Sequence, residues 1–252
     1  MTTDGERVQA VTQSDLPVLR PNAQGRRALV LTCEHASNRL PAPWRWPESD
    51  HRLIDDHWAY DPGAGDLTHD LALRLDAPAV LANFTRLLVD PNRATDDHDL
   101  FRTVADGKPV RINEAISEAE RAARITGYWE PFHEAVDAAV QAVRPRLLVS
   151  IHSYTRKYEG QLRAVEIGVL HRGQLPLATA FRDHLAHSTG RDVRINEPWS
   201  GELGLIYSAE RHATTAGCPA MEFEFRNDLL RDPALRREFT TALVSAIDAL
   251  GF

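Results

Sequence analysis

Cysteine is nearly missing from this chain: Cys33 and Cys218 are its two thiols in 252 residues. Two cysteines cannot make the disulfide framework of a small secreted domain. The polar start MTTDGERVQA leads into no apolar stretch of the kind a signal peptide carries. Long hydrophobic runs are missing too, and nothing approaches the roughly 20 apolar residues of a membrane span. Nor is there an excess of basic charge. Lys and Arg number 29 against 36 Asp and Glu, a formal net charge of -7 with no basic stripe, which argues against a phosphate backbone as the main partner. No Pro/Gly/Ser-rich linker divides the middle of the chain, and there is no internal repeat or low-complexity segment. The expectation is a soluble, reduced, cytoplasmic protein acting on a small molecule, with neither nucleic acid nor membrane as partner.

What the chain does have is an alternation of apolar strands and amphipathic helices. At 43% hydrophobic residues, a chain of this length buries a sizeable core. ALVLT, Ala28 to Thr32, has the length and β-branched content of a buried strand. APAVLANF, RLLVD (Arg86 to Asp90), RLLVSIH (Arg146 to His152), AVEIGVL (Ala164 to Leu170) and PAMEFEF (Pro219 to Phe225) read the same way. Leu67, Leu71 and Leu75 share one helical face over about 62–75, with Asp61 placed as N-cap and Pro62 at the first helical position. Ile125, Trp129, Phe132, Val136, Val140 and Val143 mark a long helix from Ser117 to Val143, with Pro131 a potential kink. Trp129 and Phe132 suit a core or a partner helix equally, so the oligomeric state is open. A helix over about Leu177 to His187 and another from Pro233 to near Gly251 complete the pattern. This order predicts an α/β fold, a single domain over 26–252 whose mixed, largely parallel sheet is flanked by helices. Residues 1–25, with few large apolar positions, read as an extended or poorly ordered tail.

In open α/β sheets, ligands collect outside the carboxyl ends of the strands. There the chain places Glu34-His35, Asp90-Asn92-Arg93, His152-Ser153 and Glu224-Arg226. A histidine after a strand is ordinarily a capped loop residue, so the weight lies in several clusters at one edge. The chemistry that needs such a set is metal-assisted hydrolysis. A catalytic zinc takes imidazole and carboxylate ligands and leaves a position open for water. His35 and His152 are the nitrogen donors to hand. A carboxylate must move the proton of that water, and a guanidinium can hold a substrate carboxylate; Glu224 and Arg93 suit those roles.

CEHASNRLP, DHWAYDPGAGDLTHDLA, RLLVDPNR, SIHSYT and FEFRNDL together resemble the N-formylglutamate amidohydrolase family, in order from about residue 28 to 230. The resemblance implies a zinc-carboxypeptidase-like (phosphorylase/hydrolase-like) fold and a zinc-dependent hydrolase of N-formyl-L-glutamate or a similar N-acyl amino acid. SIHSY is similar to the carboxypeptidase strand end that supplies a zinc histidine, here His152, and FEFR to the strand carrying their general base, here Glu224. The chain departs from that wider group where His-x-x-Glu is expected, since His35-Ala36-Ser37-Asn38 has an amide in place of the carboxylate. Asp61 is the preferred source of the missing anion, with Asp55, Asp56 and His57 as competitors. Glu34, adjacent to His35, points away from it in a strand register and stays outside the ligand set.

The expected site is therefore one zinc ion on His35, Asp61 and His152, with Glu224 as base. Asn92, Arg93, Ser37 and Asn38 face the substrate. Glu222 shares a strand face with Glu224 and can reach the same place. Arg86 reads as an exposed or structural cation, Ser153 lacks the glycine elbow of a nucleophile, and Cys33 is a buried thiol. Arg93, Arg163 and Arg226 form a possible cation cluster, and SGELG, Ser200 to Gly204, a loop beside it. The alternatives are a hydrolase of another small amide or peptide, and a metal-free binding protein on the same scaffold.

Overall fold

The computed structural model describes residues 15–158 and 160–252. In chain order the strands are β1 (Val18–Leu19), β2 (Leu29–Cys33), β3 (Ala79–Ala82), β4 (Val104–Ala105), β5 (Lys108–Pro109), β6 (Leu147–Tyr154), β7 (Lys157–Tyr158), β8 (Gln161–Leu162), β9 (Ile167–Leu170), β10 (Val193–Ile195) and β11 (Ala220–Arg226). The helices are α1 (Ala64–Arg74), α2 (Glu118–Arg124), α3 (Glu130–Val143), α4 (Leu175–Thr189), α5 (Tyr207–Ala216), α6 (Asn227–Leu230) and α7 (Pro233–Ala249). Among the described residues one seven-stranded sheet runs in the order β1-β3-β2-β6-β11-β9-β10. β3, β2, β6 and β11 are mutually parallel, whereas β1 and the β9-β10 pair run the other way. The sheet is mixed and largely parallel, as expected. β4-β5 and β7-β8 are short hairpins outside it.

Parallel strands are covered on both faces by their crossover helices, so both faces are buried. On one face Leu29, Leu31 and Cys33 of β2, Leu147, Val149 and Ile151 of β6, and Met221, Phe223 and Phe225 of β11 pack under α1, α4 and α7. On the other, Val30, Leu148 and Ala220 pack under α3 and α5. Trp129 and Phe132 belong to this second core.

Two expected elements take another form. Arg86 to Leu88 is a turn and not a strand. Its leucines are apolar because Leu87 and Leu88 are buried in two different clusters, which no regular strand face requires. The long helix is divided into α2 and α3 by a π-helical turn, Ile125–Trp129. Pro131 in the first turn of α3 has no N–H to offer, and the wider turn lies immediately before it. Helix α5 and the edge strand β10 were not foreseen. The buried side of α5 is Ser208, Ala209, His212 and Ala213, which carries no stripe of large apolar residues. Of the expected tail, residues 1–14 lie outside the described residues, and Val18–Leu19 pairs with the edge of β3. Among the described residues no helix is long and apolar enough to cross a membrane.

Candidate active site

The second face of the sheet changes character at the carboxyl ends of its central strands. Along β2 it reads Val30 and Thr32, with Glu34 in the turn just beyond the strand; along β6, Leu148, Ser150, His152; along β11, Ala220, Glu222, Glu224. Register sets Ser150 between Thr32 and Glu222, and His152 beside Glu224. All of these polar residues are buried. His152, Glu222 and Glu224 form the floor of a cleft of about 280 Å³, whose walls include His57, Trp58, Arg93, Arg163 and Trp199, and Thr32, Glu34 and Ser150 lie behind that floor.

At its centre His35, Asp61 and His152 converge. Each offers one ligand atom, and these atoms lie within 4.8 Å of one another. Asp61 Oδ2 is 2.8 Å from His152 Nδ1 and 3.4 Å from His35 Nδ1. The outer nitrogen of each ring is held by a further carboxylate: His35 Nε2 lies 2.8 Å from Asp90 Oδ1, and His152 Nε2 lies 3.1 Å from Glu34 Oε2. Asp90 is fixed in turn by Arg86 through two contacts of 2.7 and 3.1 Å, and Glu34 accepts from Ser150 Oγ at 2.7 Å. Carboxylates behind imidazoles orient the inner nitrogens and raise their basicity, the arrangement that surrounds metal-binding histidines. The donor set fits a divalent metal such as zinc on a structural observation. His35 Nδ1 is buried and makes no hydrogen bond, although it faces Asp61 and His152.

The electrostatics point the same way. Burial raises the Asp61 carboxyl, but the charges and hydrogen bonds of His35 and His152 outweigh it and hold Asp61 well below the usual carboxylate range. Burial likewise raises Glu34, and hydrogen bonding and charge from His152, with Ser150, bring it down to about 2. His152 shows the reverse. Burial disfavours its charged form, yet Glu222, Asp61 and Glu34 together push it well above the usual imidazole range. Glu222 and Glu224 are both pushed up, first by burial and then by neighbouring carboxylates. One oxygen of each is buried without a hydrogen-bond partner. So many buried anions call for positive charge at the centre of the cluster.

The model of the N-formylglutamate amidohydrolase family matches residues 27–231. The chain belongs to that family. The N-formylglutamate deformylase of Pseudomonas putida is 26% identical over 200 residues, 71% of this chain and 73% of that enzyme. That of Pseudomonas aeruginosa is 28% identical over 125 residues, 45% of either chain, so this match spans less than half of that enzyme's length. A solved gene product of Agrobacterium tumefaciens superposes with a TM-score of 0.86 at 29% identity, over 95% of this chain and 98% of that one. The N-formylglutamate amidohydrolase of Ralstonia eutropha shares the fold, with a TM-score of 0.72 at 20% identity over 91% and 97% of the two chains.

Within this amidohydrolase-family chain the sequence candidates separate by position. Asp61 does not cap α1. The N-cap is Gly63, left-handed at φ 85° against Leu230, which leaves the Asp61 carboxylate to His152 and to the Ser153 amide at 3.1 Å. Asp55 receives a hydrogen bond from Asn38, and Asp56 lies 2.7 Å from His57 Nδ1, so the competitors for the third ligand position are engaged elsewhere. Ser37 and Asn38 are not among the residues lining the cleft. Ser37 Oγ accepts from the Arg39 amide and Asn38 Nδ2 donates to the Ile54 carbonyl, so both brace the loop after β2. Asn92 and Arg93 do line the cleft. Asn92 donates one Nδ2 proton to the Leu205 carbonyl and accepts from the Ser208 amide, tying α5 to the site. Arg226 pairs with Asp228 at 2.8 Å and is not a wall residue. Ser153 Oγ donates to the Pro62 carbonyl, and Cys33 is a buried thiol pushed up first by burial.

Glu34, Asp90 and Arg86 emerge as parts of the site that sequence reasoning set aside. β2 ends at Cys33 and the chain turns, so strand alternation no longer separates Glu34 from His35. Glu222 and Glu224 both reach the cleft but occupy different places. Glu222 Oε2 is 3.6 Å from His152 Nε2, the nitrogen opposite the one facing Asp61.

Proposed function

We propose that this chain is a zinc-dependent amidohydrolase that cleaves N-formyl-L-glutamate, or a closely similar N-acyl amino acid, to formate and the free amino acid. The observation that carries this reading is the convergence of His35 Nδ1, Asp61 and His152 Nδ1 beside Glu224, one of whose carboxylate oxygens is buried without a hydrogen-bond partner. It is joined by membership of the family and by arginines on the cleft wall. His35, Asp61 and His152 would hold the metal. When bound it supplies Lewis acidity, lowering the pKa of water and polarising the formyl carbonyl.

The rest of the chemistry falls to the chain's own groups. Glu224, on the His152 side of the floor, takes a proton from the attacking water as its oxygen bonds to the formyl carbon. The same proton passes from Glu224 to the amide nitrogen, the C–N bond breaks, and formate and the amine leave. Glu222, behind the His152 ring, is placed to orient that ring and not the water. Asn92 uses one Nδ2 proton on Leu205 and directs the other at the developing oxyanion. Arg93 holds a substrate carboxylate beside the scissile bond.

The test is formate release from N-formyl-L-glutamate by the purified protein, before and after chelation and after zinc is restored. Release that disappears and returns supports the reading. Release indifferent to chelation contradicts the metal, and no release from any N-formyl or N-acetyl amino acid contradicts the activity.

A further inference from the structure

Asn92 and Arg93 are adjacent in the chain but are held from two different helices. Asn92 is tied to the start of α5, donating to the Leu205 carbonyl at 3.1 Å and accepting from the Ser208 amide at 3.0 Å. Trp129, in the π-helical turn that leads into α3, donates from Nε1 to the Arg93 carbonyl at 2.9 Å. The two helices are pinned to each other by a pair of histidines that the proposed chemistry does not use. One turn beyond Trp129, the His133 ring packs on the indole at a centroid distance of 4.0 Å. Its Nδ1 lies 2.8 Å from His212 Nε2 on α5, and His212 Nδ1 lies 2.7 Å from Asp137 Oδ1, back on α3. Both rings are buried, while the Asp137 side chain is 39% exposed.

These three residues have one consistent arrangement of protons. Burial, then the charges of His212 and Arg211, push His133 down to about 3, against the opposing pull of Glu34 and the Pro91 carbonyl. Burial and Arg211 likewise push His212 down, against Asp137 and Glu34. Both rings are therefore uncharged near neutrality. The Asp137 carboxylate only accepts, so His212 carries its proton on Nδ1 and offers a bare Nε2. His133 must then donate from Nδ1, which leaves its own Nε2 bare. That nitrogen is buried without a hydrogen-bond partner, and the Pro91 carbonyl beside the ring is an acceptor that cannot supply a proton. Two acceptors side by side repel, so the direction of the chain of protons bears on the segment that carries Asn92 and Arg93.

We infer that Asp137, His212 and His133 are positioning residues that set, through Trp129 and the Pro91 carbonyl, where Asn92 and Arg93 stand in the cleft, an inference that rests on the proposed amidohydrolase reading. A small displacement of a group that meets the oxyanion or anchors the substrate slows the reaction without unfolding the protein. Asp137 is the control point, because the carboxylate alone decides which way the protons point. An amide in its place presents an N–H to His212 Nδ1, and the chain reverses. His212 then donates from Nε2, His133 accepts on Nδ1, and His133 Nε2 donates to the Pro91 carbonyl. Repulsion at Pro91 becomes attraction, and Asn92 and Arg93 move with it.

The test compares Asp137→Asn and Asp137→Glu with the wild type, all with zinc restored, by nitrogen NMR of the histidine rings, by the backbone amide signals of Asn92 and Arg93, and by formate release. Asp137→Asn should move His212 and His133 from the Nδ1–H to the Nε2–H form and shift both amide signals. In the same variant kcat should fall on the order of tenfold, with thermal midpoint and bound metal near wild type. Asp137→Glu, which keeps the carboxylate, should keep the wild-type ring forms and most of kcat. Rings that do not reverse in Asp137→Asn would overturn the inference, as would reversed rings with the amide signals and kcat unmoved. Equal losses in both variants, or a lowered thermal midpoint as the sole effect, would overturn it too, since that is what a merely structural contact gives. Formate release by the wild type is read separately. Its absence would sink the proposed activity, while the ring forms and the Asn92 and Arg93 signals would still decide whether Asp137 sets that segment.

Discussion

The two faces of the central sheet are built from the same strands and do different work. Under α1, α4 and α7, the inward residues of β2, β6 and β11 are apolar from one end to the other, closing with Cys33, Ile151 and Phe225. Under α3 and α5 the same strands begin with Val30, Leu148 and Ala220 and lead to Thr32 with Glu34 in the turn beyond it, to His152 and to Glu224. The difference shows how a parallel sheet keeps stability and chemistry apart at spacings of one residue. Phe223 and Glu224 are neighbours in sequence, yet one meets Phe181 edge-on with ring centroids 5.2 Å apart and the other faces the cleft. Alternation along the strand separates them.

If the faces are separate in this sense, substitutions on each should fail in different assays. Glu224→Gln should lower kcat by about 10²–10⁴-fold, the usual contribution of a general base, while bound metal and thermal midpoint stay near wild type. Loss of metal in that variant would instead put Glu224 among the ligands. One residue away, Phe223→Ala should cost about 3–5 kcal/mol of stability by urea unfolding, since it empties a fully buried position, with kcat at low temperature within a few-fold of wild type. A matching collapse of kcat in the folded protein would break the comparison. Asp90→Asn and Glu34→Gln act behind the histidines, and each should weaken metal affinity by about 10–100-fold in competition with a chelator. Unchanged affinity would mean that these carboxylates do not orient the rings. Least affected should be Ser37→Ala, which touches a loop and not the cleft, with kcat/KM changed by less than about twofold and stability within about 0.5 kcal/mol.

Much of this division was legible in the sequence, because strand ends announce themselves. ALVLT, RLLVSIH and PAMEFEF locate the central strands within a residue or two, and His35, His152 and Glu224 follow from where those runs stop. What depends on distance across strands was not legible. Glu34 contacts a residue 118 positions away, and its alternation with His35 holds only while the strand lasts. Asp90 is a turn residue that accepts from the Asn92 amide at 2.9 Å, and the same oxygen also meets His35, a residue 55 positions away. Ser37 and Asn38 misled in the opposite sense, being next to a site residue in the chain but turned away in space. Helix α5 escaped notice because its buried face includes His212, which bonds His133 at 2.8 Å, so its inward side is polar where periodicity expects leucine.

The central claim is that the polar end of one sheet face is a metal site made by His35, Asp61 and His152. Calorimetric titration of zinc into the metal-stripped protein, with His152→Ala alongside, tests it most directly. The account predicts one tight site per chain in the wild type and its loss in His152→Ala. No binding by the wild type, or binding unchanged by the substitution, would contradict it.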